Sequence, residues 1–344
     1  MVWGAIPVAA LTALLTLDHI PGTSISLAVP FAAQGPGPMF DTLGDIGGEP
    51  VVRIDGAETD ETSGTLNMTT VSVRTNMTLP QAINRWITTD DTLVPIEQVM
   101  PRDLTPEEVR EYNEQAFVSS EALATVAAMN YLGRPTRVVV HQVVDDAAAA
   151  GILEAEDTIV AVDGEAVTKP SEVQDLVRAA SPGDDIDITV QRGEEEQTFT
   201  ITLGANPQDE KVAMLGILMS SEPAGGVDVT YNLNDVGGPS AGMIFALAVI
   251  DKLSPGELTH GRSVAGTGTI SEDGRVGPIG GISHKIAGAR DGGVEIFLAP
   301  AGNCAEAARV DTGDMVVAKV ETLDDAVKAM DDFHAGREVT RCEG

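Results

Sequence analysis

Gly237-Gly238-Pro239-Ser240-Ala241-Gly242 runs into Met243-Ile244-Phe245-Ala246-Leu247-Ala248-Val249-Ile250, and this stretch decides the fold. Ahead of it, Val227-Asp228-Val229-Thr230-Tyr231-Asn232-Leu233 alternates apolar and polar residues, as a strand does. Met243 to Leu253 is almost wholly apolar, the pattern of a helix buried on most sides, and Pro255-Gly256 ends it. Strand, glycine turn, serine and buried helix together place one hydroxyl at a helix N-terminus, where backbone N–H groups carry partial positive charge. Two readings of Ser240 are open. Serine is a preferred helix cap. It can also be a nucleophile, with the turn backbone at Gly238, Pro239 and Ala241 serving a developing oxyanion.

A second stretch lies downstream. Ser263 to Ile270 is a strand of small residues, and a turn at Glu272-Asp273-Gly274 follows. Val276-Gly277-Pro278-Ile279-Gly280-Gly281-Ile282 then leads into a helix over Ser283 to Arg290, stopped by Gly292-Gly293, and Val294 to Pro300 is a further apolar strand. The two stretches together resemble the proteolytic domain of Lon proteases, over roughly residues 210 to 330. In that family a Gly-Pro-Ser-Ala-Gly segment supplies a serine and a Pro-Ile-Gly-Gly-x-x-x-Lys segment a lysine. Here these are Ser240 and Lys285, 45 residues apart. The family's Thr-Gly motif, whose threonine hydroxyl holds the lysine amine, matches Thr267-Gly268. The resemblance implies a Ser–Lys dyad. Serine needs a base to become nucleophilic, and a lysine near its reference pKa of about 10.4 is protonated at neutral pH. Burial disfavours the charged amine and makes it a base. The chain departs from many family members at Gly237, where they carry Asp. It also has no Gly-x-x-x-x-Gly-Lys-Ser/Thr loop, so ATP-driven unfolding within this chain is not expected.

Upstream, residues 136 to 204 read as a separate module. Arg137 to Val144 is a strand, Asp145 to Gly151 a short helix, and Thr158 to Val162 a strand ended by the turn Asp163-Gly164. Ser171 to Ala180 is a helix capped by Ser171, and Ile186–Gln191 with Gln197–Leu203 forms a hairpin around Arg192-Gly193. This order resembles a bacterial PDZ domain, most closely in the Ala-Gly-Ile stretch leading to Asp157-Thr158-Ile159-Val160-Ala161-Val162-Asp163-Gly164, with Glu156 standing where glycine is usual. Such domains bind extended peptides by adding a strand to a sheet edge, often holding the C-terminal carboxylate. The carboxylate loop is expected near Tyr131 to Pro135. Further upstream, Thr105-Pro106-Glu107-Glu108 starts a helix that runs to about Tyr131, Val51–Ile54 and Leu66–Val73 are strands, and Gly35-Pro36-Gly37-Pro38 reads as a linker.

The N-terminus bears on compartment. Val2 to Leu17 is uncharged, 16 residues against the roughly 20 that span a bilayer; Asp18 and His19 interrupt, and Ile20 to Ala33 is uncharged again. A signal anchor, a signal peptide cleaved near Ala32-Ala33 and a buried helix all fit this pattern. The two export readings place everything after Pro36 outside the cytoplasm, where Cys304 and Cys342 can form a disulfide. Taken whole, the chain resembles the membrane-anchored, PDZ-containing Lon-type peptidases of Gram-positive bacteria (YlbL-like). Phe40-Asp41-Thr42-Leu43-Gly44, Leu66 to Ser72 and Asn303-Cys304-Ala305-Glu306-Ala307 add to that likeness. The resemblance implies a single-pass protein of the cell membrane with an extracytoplasmic catalytic domain.

The expected architecture is α+β and multidomain: a signal anchor or signal peptide over 1–34, a β-rich N-terminal region with a helix over 35–132, a PDZ-like domain over 133–207, a Lon-type proteolytic domain over 208–336 and a C-terminal tail over 337–344. Among the 344 residues, 21 Lys+Arg face 53 Asp+Glu, a net charge of −32. That surface repels phosphate, so nucleic acid is not an expected partner. Peptide or protein through the PDZ domain and membrane through the N-terminus are; homo-oligomerisation is left open. No cofactor is implied, and no His-Glu-x-x-His or Cys/His spacing suggests a metal. Two rivals remain. Gly238 to Gly242 also fits an esterase elbow, with His260, His284 or His334 and Asp311 or Asp314 as partners. The chain can also be a membrane-tethered PDZ adaptor with an inactive or autoinhibited peptidase domain. In the dyad reading His284, beside Lys285, faces away and is exposed.

Overall fold

The computed structural model describes residues 27–100, 104–233 and 236–343. The chain opens with β1 (Phe31–Asp41), the small strands β2 (Asp45–Ile46) and β3 (Glu49–Pro50), then β4 (Val52–Asp55) and β5 (Thr65–Arg74). Helix α1 (Leu79–Thr88), β6 (Thr92–Pro95) and the long helix α2 (Pro106–Tyr131) follow. Helix α2 starts where the sequence asks: Thr105 and Glu108 form a reciprocal capping box, with Pro106 in the first turn.

The next unit contains β7 (Thr136–Val143), β8 (Thr158–Val162), β9 (Glu165–Ala166), α3 (Pro170–Ala179), β10 (Asp185–Arg192), β11 (Glu195–Thr202), β12 (Gly204–Asn206), β13 (Asp209–Met214) and β14 (Ile217–Pro223). Its sheet order is β11-β10-β8-β7-β14, with β9 on β8, around its own core of Val138, Ile159, Val173, Ile188 and Ile201. Residues 145–153 form turns, not the expected short helix. Helix α3 begins one residue early, with Lys169 as cap and Pro170, whose fixed φ suits a first turn, inside it. Glu156 adopts the left-handed backbone, φ 72°, that a glycine would take without strain.

The chain then returns through β15 (Asp228–Tyr231), α4 (Gly242–Leu253), β16 (Ser263–Gly266), β17 (Thr269–Ile270), β18 (Val276–Gly277), α5 (Ile282–Asp291), β19 (Ile296–Pro300), α6 (Cys304–Ala307), β20 (Val316–Val320) and α7 (Leu323–His334). The second large sheet has the order β20-β19-β16-β5-β1-β6. Its first four strands are parallel and the β5-β1 and β1-β6 pairs antiparallel. Alternation sorts the strand residues between two cores. Val264, Ile296, Leu298 and Ala318 face α4, while Ala265, Phe297, Ala299 and Val317 face α5.

This pairing crosses the expected domain limits. β1, β5 and β6 belong to the same sheet as β16, so 35–132 is not a region apart, and the PDZ unit is inserted into a single larger core. Gly35 to Pro38 lies within β1 rather than in a linker; the register with β5 shifts between Pro36 and Met39, which accommodates the two prolines. Of residues 208–223, β14 belongs to the PDZ sheet, β13 pairs with β12, and Ala213 and Leu215 close the PDZ core. The last residues are pinned rather than trailing: Cys342 is disulfide-bonded to Cys304, and Arg341 bridges to Ala318 of β20. The apolar segment Val2–Leu17 lies outside the described residues. Among the described residues no helix is long and apolar enough to cross a membrane.

Candidate active site

Ser240 sits in a short 3-10 turn, Pro239–Ala241, that runs directly into α4. Three hydrogen bonds, two to α2 and one to the segment after β16, fix that turn. The N–H of Gly238 donates to Asn113 O of α2 (2.8 Å), Ser120 Oγ donates to Pro239 O (3.1 Å), and Gly268 N donates to Ser240 O (2.9 Å). An added Cβ at Gly237 would meet Asn113 Cβ at 2.9 Å, so α2 occupies the space that an aspartate there would need. The expected turn residues therefore differ in what they can do. Gly238 has committed its N–H and Pro239 has none, so both shape the turn without donating to an oxyanion; the amides of Ser240 and Ala241 lie at the mouth of the helix.

Lys285 projects from the first turn of α5. Gly281 caps that helix in left-handed backbone, φ 69°, where an added Cβ would approach Val71 to 2.8 Å. The Lys285 side chain ends with Nζ 2.8 Å from Ser240 Oγ and 2.8 Å from Thr267 Oγ1. The Thr267 hydroxyl in turn donates to Ser240 O (3.0 Å). Lys285 is 3% exposed, and burial pushes its amine down to about 7. One N–H can therefore rest on Thr267 while the lone pair accepts the serine proton. The structure thus brings together Ser240, Lys285 and Thr267.

These atoms lie in a cleft of about 720 Å³. Among the described residues that line it, Lys285 is the one ionisable side chain; Phe40, Met68, Val71, Phe117 and Ile279 supply apolar walls. Asn303, not singled out as a site residue in the sequence, is clamped to this wall. Its side chain accepts from Ile279 N and donates to Ile279 O, each at 2.9 Å.

The histidines do not complete an esterase triad. His284 is buried rather than exposed, and burial lowers its pKa against the opposing pull of Asp91 and Glu306. It was expected outside because it neighbours a buried lysine on the helix, but α1, β6 and α6 bring Asp91 and Glu306 to that side. His260 and His334 stack on each other, centroids 4.2 Å apart, with His260 Nε2 2.8 Å from Asp331.

In the PDZ unit β11 and β14 are the two edge strands, and α3 packs beside β14. The expected carboxylate loop at Tyr131 to Pro135 precedes β7, which is an interior strand between β8 and β14, and Pro135 O already accepts from Ala224 N (3.0 Å). The residues that lead directly into edge strand β14 are Leu215-Gly216.

Comparison with known proteins agrees with both units. A family described as "PDZ domain" matches residues 108–203, and one described as "Lon protease (S16) C-terminal proteolytic domain" matches residues 234–331. The Lon protease of Campylobacter concisus is 36% identical over 96 residues, 26% of this chain and 12% of that protein. Lon protease 2 of Herpetosiphon aurantiacus is 31% identical over 157 residues, 41% of this chain and 19% of that protein. The chain thus spans less than a fifth of the length of these curated relatives. Among solved structures, the PDZ domain of an SdrC-like protein from Listeria monocytogenes is 30% identical, covering 24% of this chain and 85% of that one, with a TM-score of 0.22. The chain carries a PDZ domain and a Lon C-terminal proteolytic domain, and over the latter it is a homologue of Lon proteases.

Proposed function

We propose that the chain is an ATP-independent serine endopeptidase in which Ser240 is the nucleophile and Lys285 the general base. The observation that carries this reading is the buried amine 2.8 Å from the serine hydroxyl. Neutral Lys285 takes the Ser240 proton as Oγ attacks the scissile carbonyl. The tetrahedral oxyanion is held by amides at the α4 N-terminus, and the lysine ammonium returns the proton to the departing amine. Water then repeats the sequence on the acyl-enzyme, restoring Ser240. Thr267 orients the amine throughout.

The PDZ domain recruits or gates substrate, by addition of a peptide strand to the free edge of β14 with its C-terminus at Leu215-Gly216. The substrates are exported or membrane-associated proteins, and the chain is tethered by its N-terminal segment with the cleft outside the cytoplasm. The Cys304–Cys342 disulfide supports an oxidising compartment. The position of β14 at a sheet edge also favours a second reading, a PDZ adaptor without turnover. The test is cleavage of an unfolded protein by wild type, Ser240→Ala and Lys285→Ala, alongside labelling by a serine-directed phosphonate. Turnover and Ser240 labelling in the wild type alone support the peptidase; peptide binding without either supports the adaptor.

A further inference from the structure

Helix α1 has ten residues, of which only Ala82 is buried. Leu79, Ile83, Trp86 and Ile87 stand 51%, 45%, 68% and 70% exposed. At 100° per residue these four fall within one arc of about 100°, so they form a continuous apolar stripe. Val73, near the end of β5, is likewise exposed. Scattered apolar residues on a surface need no explanation, but a helix that turns its leucine, isoleucines and tryptophan outward does.

The charge pattern indicates what covers it. In a chain with 53 acidic residues, none occurs from Thr62 to Thr89. The charged residues in that span are Arg74 and Arg85, the latter bridged to Asp91. This is the part of an otherwise acidic chain that an anionic surface does not repel. The path of the chain points the same way. Val29 N donates to Met77 O (2.8 Å), just ahead of α1, and Val29 and Leu93 pack against the cluster of Ala33, Met77 and Ala82. Ten residues separate Val29 from His19, where the first uncharged stretch has ended, a reach of at most about 35 Å. The chain has two tryptophans, Trp3 in that first stretch and Trp86 on this stripe. Tryptophan favours the membrane–water boundary.

We infer that α1 is an interfacial membrane helix: its Leu79–Ile83–Trp86–Ile87 face lies in the headgroup layer of a bilayer. Docking there orients the protein. β5 leads from Thr69–Val71, which line the cleft, to Arg74 and then α1, so the cleft mouth stands one short stretch of strand above the lipid. The inference rests on N-terminal anchoring only for delivery to the membrane, and not on the peptidase chemistry.

The test uses the full chain with Trp3→Phe, so that Trp86 is the one tryptophan, in vesicles of phosphatidylcholine and phosphatidylglycerol. Expected are a blue shift of Trp86 emission, loss of most of it to acyl-brominated phosphatidylcholine, and protection from aqueous iodide. Adding Ile83→Glu and Ile87→Glu should abolish the lipid quenching while cleavage of a soluble substrate stays at the parent rate. Flotation reads the anchor separately. Co-flotation with Trp86 still open to iodide and untouched by brominated lipid overturns the inference while leaving the anchor standing; failure to float overturns both. Shielding of Trp86 that needs no lipid and grows with protein concentration overturns it in favour of a second copy of the chain.

Discussion

Lys285 Nζ and Ser240 Oγ lie 2.8 Å apart although 45 residues separate them in sequence, and Thr267 Oγ1 stands 2.8 Å from the same nitrogen. Three elements of one sheet-and-helix core converge there: the N-terminus of α4, the end of β16 and the first turn of α5.

Removing the base should be as damaging as removing the nucleophile. Lys285→Arg keeps a cation that cannot deprotonate near neutral pH, so turnover should fall by about 10³-fold, within the range typical of a lost general base. Thr267→Ala should lower kcat by about 10²-fold with KM little changed, because the amine is no longer held in line. Thr267→Ser should recover most of it. Steady-state kinetics on an unfolded substrate reads all three.

The pH profile follows from the amine. Lysine is a base only when neutral, and burial sets its pKa at about 7. kcat/KM should rise with pH through about 7 and level off above it. A lysine at its ordinary value would instead give a rate still climbing tenfold per pH unit at pH 9.

The same shift has a stability cost. The folded protein binds fewer protons at Lys285 than the unfolded chain between about pH 7 and 10.5, so stability rises with pH across that window and the penalty is full below it. Lys285→Met should therefore be more stable than wild type at pH 6, by at most on the order of 5 kcal/mol, and should lose this advantage by pH 10.5. Chemical denaturation at the two pH values measures it.

Glu156 holds φ 72° between β7 and β8. Glu156→Gly should relieve the left-handed strain and stabilise the PDZ unit by about 1 kcal/mol. Its midpoint in urea should rise, with an unchanged slope.

The Cys304–Cys342 bridge closes a loop spanning 38 residues and ties the C-terminal segment to α6. Reduction should lower stability by about 2–4 kcal/mol. Denatured, unreduced protein should show no free thiol, and two after reduction.

The local chemistry was legible in the sequence because it is carried by local pattern. The Gly-Pro-Ser turn, the apolar run of α4 and the Thr105–Glu108 cap each sit where their residues direct. Partnerships between distant segments were not legible. Nothing in Leu66 to Val73 states that it pairs with Ser263 to Gly266, so the N-terminal region read as separate. The Gly-Pro-Gly-Pro middle of β1 reads as a linker because prolines usually avoid strands, and only the register shift beside them admits them here. His284 was misplaced because periodicity reports one helix, not the neighbours that Asp91 and Glu306 bring to it.

The parallel pairing of β5 with β16 has a consequence for synthesis. Thr65 meets Ser263, 198 residues later. At about 5–20 residues per second, β5 emerges from the ribosome roughly 10–40 s before its neighbour exists. The inserted PDZ sheet, complete by Pro223, is whole within that interval. The nascent chain thus carries a finished module beside an open strand edge, and no serine–lysine contact forms until synthesis has passed Lys285.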